Sequence, residues 1–231
     1  MRPPAKSFKL STSDAMGFEK CAFDTLTYYL VWFAPFIGGA LLTNKRPMDA
    51  MLQWLPPHNF KLMSLVQPEE YMTVHLPFDA HGTHQNCYTD PTIGLHASFL
   101  TELESLAKQP PTANSEGFLC WCRGSAPIDF ILVVRYCGRF ELRFLDAKHT
   151  TKPSNTKAAV DSAEVREIKA KAKQLHNGIV SKLPPHLQAC VDGFCPEHAA
   201  VITNDPTCTL AISPTTFQWE PWTSMLFFHA T

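Results

Sequence analysis

Charge is scarce in this chain. Lys, Arg, Asp and Glu make up 18% of its 231 residues, and 20 basic residues nearly cancel 21 acidic ones, leaving a formal net charge of −1. A balance this close to zero argues against a nucleic-acid binder that works through overall basic charge, although it leaves room for a local asymmetry. The N-terminus, MRPPAKSFKL, lacks the apolar core of a secretory signal. No Gly-rich phosphate loop, no G-x-S-x-G elbow and no internal repeat are visible in the sequence. A disulfide framework is missing as well. The 8 cysteines are irregularly spaced and several lie in apolar runs, where Cys behaves as a small hydrophobe. The expectation is an intracellular, reducing compartment.

What is present is apolar and aromatic. A hydrophobic content of 45%, with 16 Phe and 5 Trp, excludes intrinsic disorder and is enough to bury one large core. We expect a single domain over 1–231 with an insertion at about 34–116. The uncharged run Thr25–Asn44 is long enough to span a bilayer, but Pro35 and Gly38-Gly39 interrupt it, so we expect no membrane span.

Ser13 or Asp14 can cap a helix over 15–33, with Phe18, Ala22, Leu26, Tyr29 and Phe33 at helical spacing. The next stretch is broken by prolines, with short helical pieces expected at 47–55 and 93–108 and a linker at 109–117. The signal then sharpens. Strands are expected at 118–123, 128–136 and 140–147, the last two joined by a tight turn at Cys137-Gly138-Arg139. A helix follows over 157–181, with Val165, Ile168, Ala172, Leu175 and Ile179 on one stripe, and Pro184-Pro185 end it. Two more strands are expected at 198–203 and 207–212.

This order brings two carboxylates together. Asp129 opens one strand of the hairpin and Asp146 closes the other, so the two strand ends lie side by side. The period of a strand puts Asp146 and Lys148 on one face. Paired hard carboxylates invite Mg²⁺, or Mn²⁺ in its place. A lysine beside them can hold or help deprotonate a water that attacks a phosphodiester in line.

The run Pro127-Ile128-Asp129, a hairpin, then Asp146-Ala147-Lys148 resembles the signature of the PD-(D/E)XK nucleases, with Asp in place of the commoner Glu. The resemblance implies an α/β fold with a restriction-endonuclease-like core: helix, three-strand meander, helix and two further strands, here with a long insertion after the first helix. It implies Asp129 and Asp146 as metal ligands, Lys148 as the catalytic lysine, and Glu19 on the first helix as an auxiliary acidic residue. It covers 15–33 and roughly 117–212. Gln174 projects away from the buried stripe and is given no role. The Cys- and aromatic-rich texture is similar to the nuclease modules of Crinkler and retrotransposon-hot-spot effectors, which implies a nuclear site of action.

The charge balance conceals a segment. From Lys148 to Lys182 there are 8 basic residues against 3 acidic ones, directly after the Asp-x-Lys triplet. Phosphates near a metal need such cations, and Lys169 and Lys173, one turn apart, are the expected DNA contacts. Other groupings carry less. His75, His81, His84 and Cys87, or Cys190, Cys195, His198 and Cys208, could supply zinc ligands but match no finger spacing, so a surface cluster and buried thiols are the preferred reading. Cys120-Trp121-Cys122 reads as strand packing, and the aromatics Phe217, Trp219, Trp222, Phe227 and Phe228 read as core rather than base-stacking residues. The expected function is a metal-dependent nuclease cutting DNA. The alternatives are a catalytically silent nucleic-acid-binding or effector module on the same fold, and a protein-interaction domain using the 34–116 insertion.

Overall fold

A computed structural model of the chain describes residues 15–32, 56, 59–67, 97–112, 114–122, 126–148, 162–203 and 216–218. The architecture is α/β: a mixed sheet with helices on both faces. Helix α1 is Ala15–Trp32, α2 is Ala97–Lys108, α3 is Ser162–Lys182 and α4 is the short Pro185–Gln188. The strands are β1 (Lys61–Val66), β2 (Glu116–Trp121), β3 (Phe130–Tyr136), β4 (Arg139–Lys148), β5 (Ala199–Thr203) and β6 (Thr216–Gln218), neighbours in that order.

The centre is an antiparallel meander, β2-β3-β4, flanked by parallel pairs at both sides. The turn between β3 and β4 is the expected one. Cys137 (φ 50°) and Gly138 (φ 78°) both take positive φ, and Tyr136 pairs with Arg139. Two successive positive φ angles fit the right-handed strand twist of a two-residue hairpin, which Gly accepts freely and Cys rarely. From β4 the chain passes through α3 and returns as β5, parallel to β4, with Asp146 opposite Val201 and Lys148 opposite Thr203. A parallel return of this kind needs a long crossover, and the helix supplies it.

The alternation of side chains sorts the core into two layers. Leu119, Trp121, Phe130, Leu132 and Leu145 meet α1 through Ala22, Phe23, Leu26 and Leu30. Phe118, Cys120, Ile131, Val133 and Phe144 meet α2 and α3 through Phe99, Leu103, Ile168 and Leu175. Because both faces are covered, β2 is buried throughout and β3 in all but its last residue, so the sheet centre reads as continuous apolar runs. The stripe of Ile168, Ala172, Leu175 and Ile179 is buried as its spacing demands. Gly117 is required by close approach: a Cβ there would stand 1.8 Å from the carbonyl oxygen of Val133.

At the far end of the sheet, Arg135 is buried and pairs with Glu116, its register partner on β2. Its guanidinium also donates to the carbonyls of Leu106, Gln109 (2.8 Å) and Pro110 (3.1 Å). These are carbonyls at and just beyond the end of α2, where intrahelical donors run out and a cation is favoured. One side chain thus fixes α2 to the meander.

The structure departs from expectation in several places. Lys61–Val66, inside the stretch read as an insertion, is a sheet strand parallel to β2, and α2 packs on the core, so that stretch contributes to the sheet and the core. KLMSLV has no period of two to reveal it. Glu116 and Gly117 belong to β2 rather than to a linker; the helix expected over 157–181 is described over Ser162–Lys182, with 157–161 outside the described residues. Asp129 sits one residue ahead of β3 rather than within it. The strand beyond β5 is Thr216–Gln218, while 207–212 lies outside the described residues, as do the helical piece at 47–55 and the capping residues Ser13 and Asp14. Among the described residues, no helix is long and apolar enough to cross a membrane.

Candidate functional site

The three residues of the sequence motif and Glu19 gather at one end of the sheet, where β2 and β4 terminate and β3 begins. Asp129 is anchored twice. Its carbonyl accepts from the Cys122 amide at 2.7 Å and its Oδ2 from the Ala147 amide at 2.6 Å. One residue therefore ties the end of β2 to the end of β4 across the start of β3. Asp146, buried near the end of β4, lies close enough to Asp129 to share a hydrogen bond with it. Lys148, on the same face two residues on, places Nζ 2.9 Å from Asp146 Oδ2. That contact is an ion pair in distance but not a hydrogen bond in geometry, and among the described residues no donor is hydrogen-bonded to this buried oxygen.

Glu19 arrives from the other layer. It lies one helical turn before Ala22 and Phe23 on the buried stripe of α1. Its Oε2 accepts from the Trp121 indole N–H at 3.4 Å. Burial pushes the Glu19 carboxyl up from its ordinary range; the Trp121 bond opposes this, while the Asp146 charge raises it and Lys148 lowers it. Asp129 is pushed well up, first by burial, then by the negative charges of Asp146 and Glu19, against the Ala147 hydrogen bond. Three carboxylates and one ammonium thus share an electrostatic neighbourhood that under-compensates negative charge.

Two residues assigned to packing in the sequence belong to this neighbourhood. Trp121 holds Glu19. Cys122, one residue past β2 and in the other core layer, has its thiol pushed well up by burial first, then by Cys120, Asp129 and Asp146. The only available signal was their place at the end of the strand facing the Asp129 turn.

The basic helix is split by its own projection. Glu167 and Lys171 form an i, i+4 pair at 2.7 Å. The Glu167 carboxyl is held below its usual range by the Lys171 hydrogen bond and charge, and more weakly by Lys148, so this flank neighbours the site. Lys169, half-buried, and Lys173, exposed, lie across the buried stripe on the other flank. Among the described residues, neither lysine pairs with the carboxylates of the sheet end.

Among the described residues, no three His, Cys, Asp or Glu side chains converge as a ready ligand set. Cys190 and Cys195 carry free thiols, and His198 stands 3.6 Å from Glu141 rather than between them; His75, His81, His84, Cys87 and Cys208 lie outside the described residues. The donor chemistry at Asp129 and Asp146 nevertheless fits a hard divalent cation. Both offer oxygen, one buried oxygen lacks a hydrogen bond, and the surplus of negative charge is what a cation would relieve. The chain matches no protein-family model, no curated protein and no solved structure.

Proposed function

We propose that the chain is a metal-dependent nuclease acting on DNA phosphodiester bonds from a restriction-endonuclease-like core. The observation that carries the reading is the meeting of Glu19, Asp129, Asp146 and Lys148 at one sheet end, from segments far apart in sequence. Asp129 and Asp146 would hold Mg²⁺ or Mn²⁺, and Glu19 would add the third carboxylate nearby. When bound, the cation supplies positive charge against the charge that develops on a phosphate in transfer. Lys148 is one-third exposed at its side chain, so its ammonium can reach both Asp146 and a water at the rim. Its role would be to orient that water for attack. The cations of α3, with Lys169 and Lys173 foremost, would track the phosphate backbone beyond the reacting group.

A plasmid-nicking assay with Mg²⁺ or Mn²⁺ tests the reading. Wild type is expected to convert supercoiled to open-circular DNA, and Asp146→Ala and Lys148→Ala to abolish conversion while keeping the circular dichroism of the fold. Equal nicking by all three would trace the activity to a contaminant and remove the proposal.

A second reading is favoured by one observation, that no ready three-ligand set exists among the described residues. On that reading the module binds nucleic acid without cutting it. It then retains DNA in EDTA, and the two alanine variants bind as wild type does.

A further inference from the structure

Trp121 sits at the seam between the apolar core and the acidic sheet end. Its ring is 1% exposed, stacked on Phe23 at 5.2 Å between centroids and tilted against Phe130 at 5.9 Å. A buried indole offers one polar atom, its N–H donor, and that atom needs an acceptor. Here the acceptor is Glu19 Oε2 at 3.4 Å, a contact between residues 102 apart in sequence. Trp121 is the last residue of β2 and pairs in register with Phe130, one residue after Asp129. The sheet that fixes Asp129 therefore fixes the indole too, while Glu19 belongs to a helix from a distant segment that packs on the sheet. The carboxylate that senses Asp146 and Lys148 is the same one that the indole holds.

We propose that Trp121 is a positioning residue: its indole N–H fixes the Glu19 carboxylate at the acidic end of the sheet. The catalytic consequence rests on the nuclease reading above; the fixing itself does not. Trp121→Phe keeps an aromatic ring between Phe23 and Phe130 and removes only the donor and part of the ring area. Misplacing a functional group by a fraction of an ångström to one ångström costs about ten- to a hundredfold in rate. Trp121→Phe is accordingly expected to lower the kcat of plasmid nicking about tenfold with little change in KM, and to add nothing in a Glu19→Ala background.

The experiment uses the full chain as wild type, Trp121→Phe, Glu19→Ala and the double variant. Besides nicking, it reads the emission of Trp121, isolated from the other tryptophans as wild type minus Trp121→Phe. That difference spectrum is expected to shift when Glu19 is Ala, because a carboxylate no longer faces the indole. Losses in kcat that add independently, or a difference spectrum unchanged by Glu19→Ala, overturn the inference. If wild type does not cut DNA, the nuclease reading fails, and the spectrum alone decides whether the indole fixes Glu19. Should Trp121→Phe fail to fold, the emission of wild type against Glu19→Ala takes its place, with an unchanged spectrum again the refuting result.

Discussion

Asp129→Asn should make the protein more stable while making it inactive. The side chain has two jobs that this substitution separates. Its Oδ2 accepts the Ala147 amide at 2.6 Å, and an asparagine carbonyl oxygen in the same place accepts it equally. The backbone carbonyl that receives the Cys122 amide is untouched. What is removed is a negative charge that burial, Asp146 and Glu19 all oppose. The sign follows from proton linkage. The folded-state pKa of Asp129 lies above its unfolded value, so the native state holds the proton more tightly and stability declines as pH rises from the unfolded value toward the folded one. Over that window wild type loses about 1.4 kcal/mol per pH unit from this group. By neutral pH the asparagine variant, which carries no such penalty, should be ahead by roughly 1–3 kcal/mol. For a chain of this size that is roughly 3–10 °C in Tm. The assay is thermal unfolding by circular dichroism in EDTA at pH 4 and pH 7.5, beside plasmid nicking. The gain should be present at pH 7.5 and nearly absent at pH 4, where wild-type Asp129 is protonated in the folded state. A variant less stable than wild type at pH 7.5, or a gain independent of pH, would refute the electrostatic account of the site.

Other outcomes follow from the same geometry. Mg²⁺ should raise the Tm of wild type but not of an Asp129→Asn/Asp146→Asn double variant; at ten times its Kd a native-state ligand adds about 1.4 kcal/mol, so differential scanning fluorimetry over a metal titration reads it. Arg135→Met should cost about 3–5 kcal/mol in urea unfolding, because it leaves Glu116 buried without its partner and α2 without its terminal donor. Gly117→Ala should cost at least about 2 kcal/mol by the same measurement, since the new methyl would lie 1.8 Å from the Val133 carbonyl oxygen and the meander would have to open. Lys169→Ala with Lys173→Ala should flatten the slope of log affinity against log salt by about two on duplex DNA, with kcat unaltered once substrate is saturating. An unchanged slope would mean that the backbone runs along the Glu167–Lys171 flank instead.

The meander and the two long helices were legible in the sequence because each carries a local signature. The Cys137-Gly138 turn, the alternating three- and four-residue steps of the α3 stripe and the spacing of Ala22, Leu26 and Tyr29 need no tertiary information. β1 was not legible for the opposite reason. Its burial follows from parallel pairing with β2 and from α1 and α2 covering the two faces, so KLMSLV shows neither alternation nor a turn partner. Within the site, the meeting of Asp129 with Asp146 follows from hairpin register. The arrival of Glu19 depends on how α1 lies across the sheet, which no spacing between residues 19 and 129 encodes. Trp121 and Cys122 were hidden by their own suitability for packing, since an aromatic and a small thiol at the end of a buried strand satisfy every local expectation. The far flank of Lys169 and Lys173 needed only the phase of the helix relative to the strand end, which is tertiary knowledge as well.

The double anchoring of Asp129 has a bearing on ancestry. Position 129 serves the architecture through an oxygen that any carboxamide can also present, whereas Lys148 meets Asp146 in a partly exposed ion pair that only a cation can make. A descendant that abandoned chemistry but kept its shape would be free to drift at 148 and held to Asp or Asn at 129. The acid at the strand junction would thus outlast the reaction, a vestige preserved by the sheet rather than by a substrate.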